Sequence, residues 1–423
     1  MLTERLELLP GIRLNLIQSE RFKTGCFSFN LLRPLSLPDA APNALLPSIL
    51  LRGCRSCPDI QSISQRLDEL YGASMGTLIR KKGEIQSVGL YTDFLEDRYA
   101  EGQPVFAQTM DFLREILFDP CVEADGFIAD YVDGEALNLS NTIDSRINDK
   151  RTWAVSRMLT HMCKGEAYAV PRLGEKDTLS HVNGQNLRAR WQNLLATSPI
   201  ELFYLGQQNR NSVLEAINRL VRDIPRENLL QIPQIKTVHS ERPVQYVQEA
   251  MDVTQGKLAL GLRTDITVKD ARYPALMLLN TVYGGGMTSK LFLQIREEQS
   301  LCYYANSSVD KFKGIMIVEA GIEFADYQVA LDGILQQLEL CKQGQITKEE
   351  LESARAYLIS ALKTGKDSPG RLDDFTISQA VAGISGTMED LAVQLQTVSM
   401  EQVIEAANTL RLDTVYFLKG VEA

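Results

Sequence analysis

The sequence predicts an α+β protein built from two duplicated domains, each a largely antiparallel sheet covered by helices. Three observations carry that prediction. Each half runs as strands, helix, strand, helices, helix and strand instead of strict βαβα alternation, which favours helices layered on an antiparallel sheet over a doubly wound one. The stretch FSFNLLRPLSLPDAAPNALLPSILLRG at 27–53 resembles KLALGLRTDITVKDARYPALMLLNTVYGG at 257–285 as strand, polar loop, apolar helix and glycine. PIELFYLG at 199–206 and DTVYFLKG at 413–420 close the two halves alike, so the pattern repeats after about 210–230 residues.

Taken in order, 11–17 and 26–32 alternate apolar and polar residues and predict strands. The apolar stretch 43–52 predicts a helix. Pro58-Asp59 caps a second, with Ile63, Leu67, Leu70 and Tyr71 on one face, and 84–92 predicts a strand. Phe106, Met110, Leu113 and Leu117 recur at helical spacing until Asp119-Pro120 stops them. Further helices are expected over about 126–139, 150–163 and 183–195. Near the end, Ser399 and Gln402 form a capping box for a helix at 399–410. Between the halves periodicity lapses and prolines gather, so 225–243 reads as an extended linker separating domains at 1–224 and 244–423.

Composition narrows the function. The 423 residues carry 44 basic and 54 acidic side chains, a net charge of −10, and 44% hydrophobic residues. Such a chain buries real cores, and its acidic balance without a Lys/Arg block disfavours nucleic acid and anionic membranes as partners. A peptide or protein partner fits better. No secretory leader pattern opens the sequence and no run of 18 apolar residues occurs, so a cytoplasmic location is expected. Seven cysteines, an odd number, are spread through the chain, which points to reduced thiols instead of a disulfide framework.

Four motifs are each weighed against an ordinary structural role. Gly72-Ala73-Ser74-Met75-Gly76 matches a nucleophile elbow, but that motif needs a strand before the serine and a helix after it, and here the order is reversed. A helix-to-strand turn is expected instead. Cys54-x-x-Cys57 with His161-x-Cys163 offers four donors for metal, yet the second pair lacks the usual ligand spacing. Gly284-Gly285-Gly286 precedes Lys290, but a phosphate-binding loop requires glycine directly before the lysine, where Ser289 stands. Finally, 289–298 predicts a helix and 301–307 a strand with Leu301, Tyr303 and Ala305 on one face, which brings Arg296 and Tyr303 near one cavity. Taken alone, that arginine complements a helix dipole and that tyrosine packs.

The string GGGMTSKLFLQIREEQSLCYYANSS at 284–308, the duplicated halves, YAVPRLGEKDTLS at 168–180 and ITKEELESARAYL at 346–358 resemble the M16 (pitrilysin and mitochondrial processing peptidase-like) metallopeptidase family over nearly the whole chain. The resemblance implies the family's fold, similar to that of LuxS-type metallohydrolases. It also implies an inverted zinc motif, H-x-x-E-H, on the apolar helix of the first domain, completed by a distal glutamate. Anchored on Leu50-Leu51-Arg52-Gly53, the two histidine positions hold Ala44 and Ser48, the base position holds Pro47, and the distal position falls near Thr142, with Glu135 close by. Alanine and proline cannot ligate zinc and serine is a poor ligand.

The resemblance further implies that Arg296 and Tyr303 of the second domain reach toward a zinc site to hydrogen-bond peptide and developing oxyanion. In some bacterial relatives one subunit carries the zinc motif and a degenerate one supplies the Arg/Tyr pair. The expectation is therefore a zinc-less subunit, without metal or cofactor of its own and without peptidase activity alone. It would pair as a heterodimer with a zinc-bearing M16 subunit, contributing Arg296 and Tyr303 in trans. Two alternatives stay open: a purely structural or peptide-binding protein, including a paired factor in modification of elongation factor P, and an independent metal enzyme using the four Cys and His donors.

Overall fold

The computed structural model describes residues 2–239 and 242–421, and residues 240 and 241 of the expected linker lie outside them. Mostly antiparallel sheets covered by helices make up the chain, as the alternation predicted. In the first compact unit the strands are β1 (Leu2–Leu9), β2 (Ile12–Gln18), β3 (Thr24–Pro34), β4 (Ser74–Lys82), β5 (Ile85–Leu95), a short hairpin of β6 (Val122–Glu123) and β7 (Gly126–Phe127), and β8 (Ile200–Gly206). The second unit holds β9 (Gln245–Met251), β10 (Gly256–Arg263), β11 (Cys302–Asp310), β12 (Ile315–Ile322) and β13 (Arg411–Gly420).

The two sheets repeat one topology. The first runs β1-β2-β8-β3-β5-β4 and the second, read from its other edge, β9-β13-β10-β12-β11. Central β3 and β10 each pair antiparallel on both sides. The parallel pairing of β2 with β8 recurs between β9 and β13. Matching both the order and the sense of pairing is a stricter sign of duplication than the similar openings and closings of the halves.

Helices bury an apolar stripe on one face of each sheet. In the first unit Phe27, Phe29 and Leu31 of β3 meet Leu45, Ile49, Leu113 and Leu194. In the second, Leu258, Leu260 and Leu262 of β10 meet Leu276, Leu279, Ile334 and Ala406. The opposite faces are covered by segments from across the linker: 367–381 belongs to the first unit and 145–169 to the second. Compactness thus does not follow the sequence cut, because a central strand buried on both faces needs cover on both; on β3 the second face carries Ser28 and Asn30, and the Ser28 hydroxyl donates to Asp373 at 2.8 Å. On β10 the alternate residue Ala259 packs on Met158 and Met162 of the helix Lys150–Met162. A side chain at Gly261 would collide with both methionine sulfurs.

Several local expectations shift. The first apolar helix spans Leu37–Leu50, beginning well before 43, because Pro38 is favourable in the first turn; Pro42 and Pro47 lie inside it. The stretch at 126 starts with β7, and the helix is Ala129–Ser145. Capping boxes form at Ser399 with Gln402, and also at Thr347 with Glu350. Among the described residues no helix is long and apolar enough to cross a membrane.

Candidate functional site

In the first unit the degenerate motif positions lie on the helix Leu37–Leu50. Ala44 is 1% exposed and packs in the main core, Pro47 is buried and Ser48 is half-buried. A buried methyl at Ala44 has no lone pair, and Pro47 lacks both a backbone N–H and a polar side chain. Thr142 is exposed on the helix Ala129–Ser145, where its hydroxyl donates to the Asn138 carbonyl at 2.8 Å. Glu135, the carboxylate nearer to hand on that helix, accepts from Arg52 at 3.1 Å, and the same guanidinium stacks 4.8 Å from the Tyr131 ring centroid. The donor set therefore does not suit zinc. Among the described residues no three His, Cys, Asp or Glu side chains converge on a common point.

The cysteine motif resolves into separate environments. Cys54 and Cys57 exchange backbone hydrogen bonds of 2.8 and 3.1 Å across a two-residue turn within the first core. Burial pushes the Cys54 thiol up, which keeps it protonated and a poor ligand. Cys163 is buried in the second unit beside Met158 and Met162, and the His161 ring lies 3.7 Å from Glu249. At Gly72 the chain makes the expected turn, with a left-handed φ of 72°, between the helix Ile60–Glu69 and β4.

In the second unit, residues 281–285 and 291–298 form π-helical turns, so the predicted helix at 289–298 is wider than an α-helix. Such turns insert a residue into the helical repeat and recur at functional sites. The first is pressed against β11, and a side chain on Gly284 would sit 2.7 Å from the Ser307 amide. Leu291 and Ile295 fill the core, which leaves Arg296 exposed. Its guanidinium lies 4.7 Å from the Phe292 ring centroid and 3.4 Å from Glu297.

The strand reading needs correction at Tyr303. Simple alternation places Tyr303 with Ala305, but a bulge between Cys302 and Tyr304 inserts Tyr303 as an unpaired residue. Cys302 and Ala305 consequently both face the core, and Tyr303 turns outward, 62% exposed. Its hydroxyl donates to Glu323 Oε1 at 2.7 Å, and that bond to a carboxylate raises the phenol above its ordinary range. No contact joins Arg296 to Tyr303: each is held by its own neighbour. Glu323 was missed at the sequence level: it lies just past the end of β12, and only the folded hairpin with its bulge brings its carboxylate to the Tyr303 hydroxyl.

Comparison with known proteins agrees with this description. A family model described as "Peptidase M16 inactive domain" matches residues 181–358. The probable inactive metalloprotease YmfF of Bacillus subtilis is 32% identical over 415 residues, covering 97% of this chain and 96% of that one. A conserved protein from Enterococcus faecalis V583 superposes with a TM-score of 0.91 at 28% identity, over 100% of this chain and 99% of that one. An M16 inactive-domain structure from Pseudomonas fluorescens shares the fold, with a TM-score of 0.80 at 15% identity, covering 100% of this chain and 99% of that one.

Proposed function

Because the chain belongs to the M16 peptidase family, as an inactive-peptidase-like member with Ala44, Pro47 and Ser48 at the zinc-motif positions, we propose that it is the zinc-less subunit of a two-subunit peptidase. The partner carries H-x-x-E-H and the zinc, and this chain supplies Arg296 and Tyr303 to the partner's site. One observation carries the proposal: at the metal-motif positions Ala44 and Pro47 are buried and cannot ligate and Ser48 is a poor ligand, whereas Arg296 and Tyr303 stay outward on a surface shaped by a π-helical turn and a bulge.

Arg296 offers a fork of N–H donors to a peptide carbonyl. Tyr303 has a single hydroxyl proton, which Glu323 holds, so a developing oxyanion competes with Glu323 for it. An oxyanion is the stronger acceptor only late in the reaction, which favours the transition state over the bound peptide. Losing one such donor typically costs about 2.7–4 kcal/mol.

The test is peptide cleavage by each subunit alone and by the two together. We expect turnover only from the pair, with Arg296→Ala and Tyr303→Phe in this chain each lowering kcat by roughly 100- to 1,000-fold. Turnover by this chain alone, or an unchanged rate in either variant pair, overturns the proposal. A pair that holds stoichiometric metal and shows no turnover points instead to a peptide-binding or structural role, such as a paired factor in elongation factor P modification.

A further inference from the structure

We propose that a cleft of about 730 Å³ on the first unit binds the free C-terminal end of an apolar peptide. Its floor is Leu117, Phe118, Ile128 and Trp191, and its polar groups include Arg55, Arg188 and Asp119. The volume falls within the range of roughly 300–1,000 Å³ typical of ligand sites. The Trp191 indole N–H is already spent on the Leu117 carbonyl at 2.9 Å, so the ring presents an apolar surface.

Charge makes this cleft specific. In an acidic protein nearly every arginine among the described residues meets a carboxylate, carbonyl, hydroxyl or ring. Arg55, Arg188, Arg371 and Arg411 are those whose guanidinium has no such partner there, and two of them line this cleft. Both are firmly mounted. Arg55 sits in the two-residue turn closed by the Cys54 and Cys57 backbone bonds, and its own amide donates to the Asp119 carbonyl at 2.9 Å. Arg188 lies one turn before Trp191 on the helix Gly184–Thr197, where residues three apart share a face.

Two arginines lining a cleft with an apolar floor suit a carboxylate attached to a hydrophobic body, since Arg binds carboxylates through paired, charge-assisted hydrogen bonds. Asp119 narrows the class further. Its carboxylate makes no hydrogen bond or ion pair among the described residues, and it would repel a second acid while accepting from an N–H donor. Carboxylate, adjacent amide N–H and apolar side chain are together the terminal residue of a peptide, whereas a fatty acid lacks the N–H. Recognition of a terminal carboxylate is an established mode of peptide capture. The inference stands on the first unit alone and requires no partner subunit.

The experiment uses the full chain and a fluorescein-labelled hexapeptide ending in leucine, as the free acid and as the C-terminal amide, with binding read by anisotropy. We expect the acid to bind at least tenfold more tightly than the amide. Arg55→Gln and Arg188→Gln should each weaken the acid by fivefold or more, without moving the amide or the Trp191 emission maximum. Asp119→Ala should weaken both forms, because the N–H it accepts from is common to them. Equal binding of acid and amide, no binding of either, or full acid affinity in both arginine variants overturns the proposal. Displacement by octanoate at the same affinity as the peptide acid also overturns it, because the amide would then contribute nothing.

Discussion

Asp413 offers a sharp test of how the second unit is held together. Its carboxylate is 3% exposed and accepts from Arg263 Nε, Arg242 Nη2 and Thr414 Oγ1, each at 2.7 Å. Arg263, 7% exposed, also donates to Glu166 at 2.7 Å, and Glu166 in turn receives Lys313 at 2.8 Å. Two buried cations are thereby balanced by two carboxylates. Asp413→Ala leaves Glu166 to serve both and strands Arg263 Nε beside Nη1, which already lacks a partner. Breaking one side of such a buried pair costs about 3–5 kcal/mol, mostly from the charge left behind. With a urea m-value of about 2–3 kcal/mol/M, the midpoint should fall by about 1–2.5 M.

The two tryptophans allow the units to be read separately. Trp153 packs against the cluster of Met158, Met162 and Ala259 in the second unit, and Trp191 lies in the first core. Urea titration of Asp413→Ala in a Trp191→Phe background therefore reports the second unit, and a Trp153→Phe background reports the first. The double variant Arg263→Met/Asp413→Leu should recover most of the lost midpoint, since it removes the stranded charge together with its partner. A shift below about 0.3 M for Asp413→Ala, or a double variant no more stable than the single one, refutes the account.

Acid should weaken the same cluster. Burial opposes ionisation of Glu166 and Asp413, but hydrogen bonds from Arg263 and Lys313 on the first, and from Arg242, Thr414 and Arg263 on the second, more than offset it and hold both below the usual carboxylate range. Their stabilisation is full above the unfolded values of about 4 and is lost as pH falls through the lower folded values. The Trp153 urea midpoint should hence stay flat from about pH 6 to 8 and drop below about pH 4, less steeply in Asp413→Asn; an equal slope in that variant contradicts the assignment. Rebuilding the zinc motif as Ala44→His/Pro47→Glu/Ser48→His should overpack the first core at Ala44, cost about 1–3 kcal/mol and retain no stoichiometric zinc through gel filtration. Elemental analysis showing one zinc per chain would disprove that expectation.

What the sequence determined by itself was whatever depends on local periodicity and on chemistry that residue types either possess or lack. Alternation and helical spacing set most elements, Asp59 and Ser399 marked helix starts, and the paired openings and closings announced a duplication. The identities of Ala44 and Pro47 ruled out ligation there before any coordinate was known, because no fold gives those side chains a donor atom. The tertiary structure decided what depends on residues distant in sequence or on a one-residue change of register. Covering the far face of each sheet required helices from the other half of the chain, a demand that no local window contains. The bulge at Tyr303 reversed the face on which that ring lies, since a single inserted residue shifts a period of two by half. The pairing of Arg52 with Glu135 and the placing of Arg55 and Arg188 on one cleft join positions 83 and 133 residues apart, and only the folded chain brings them together.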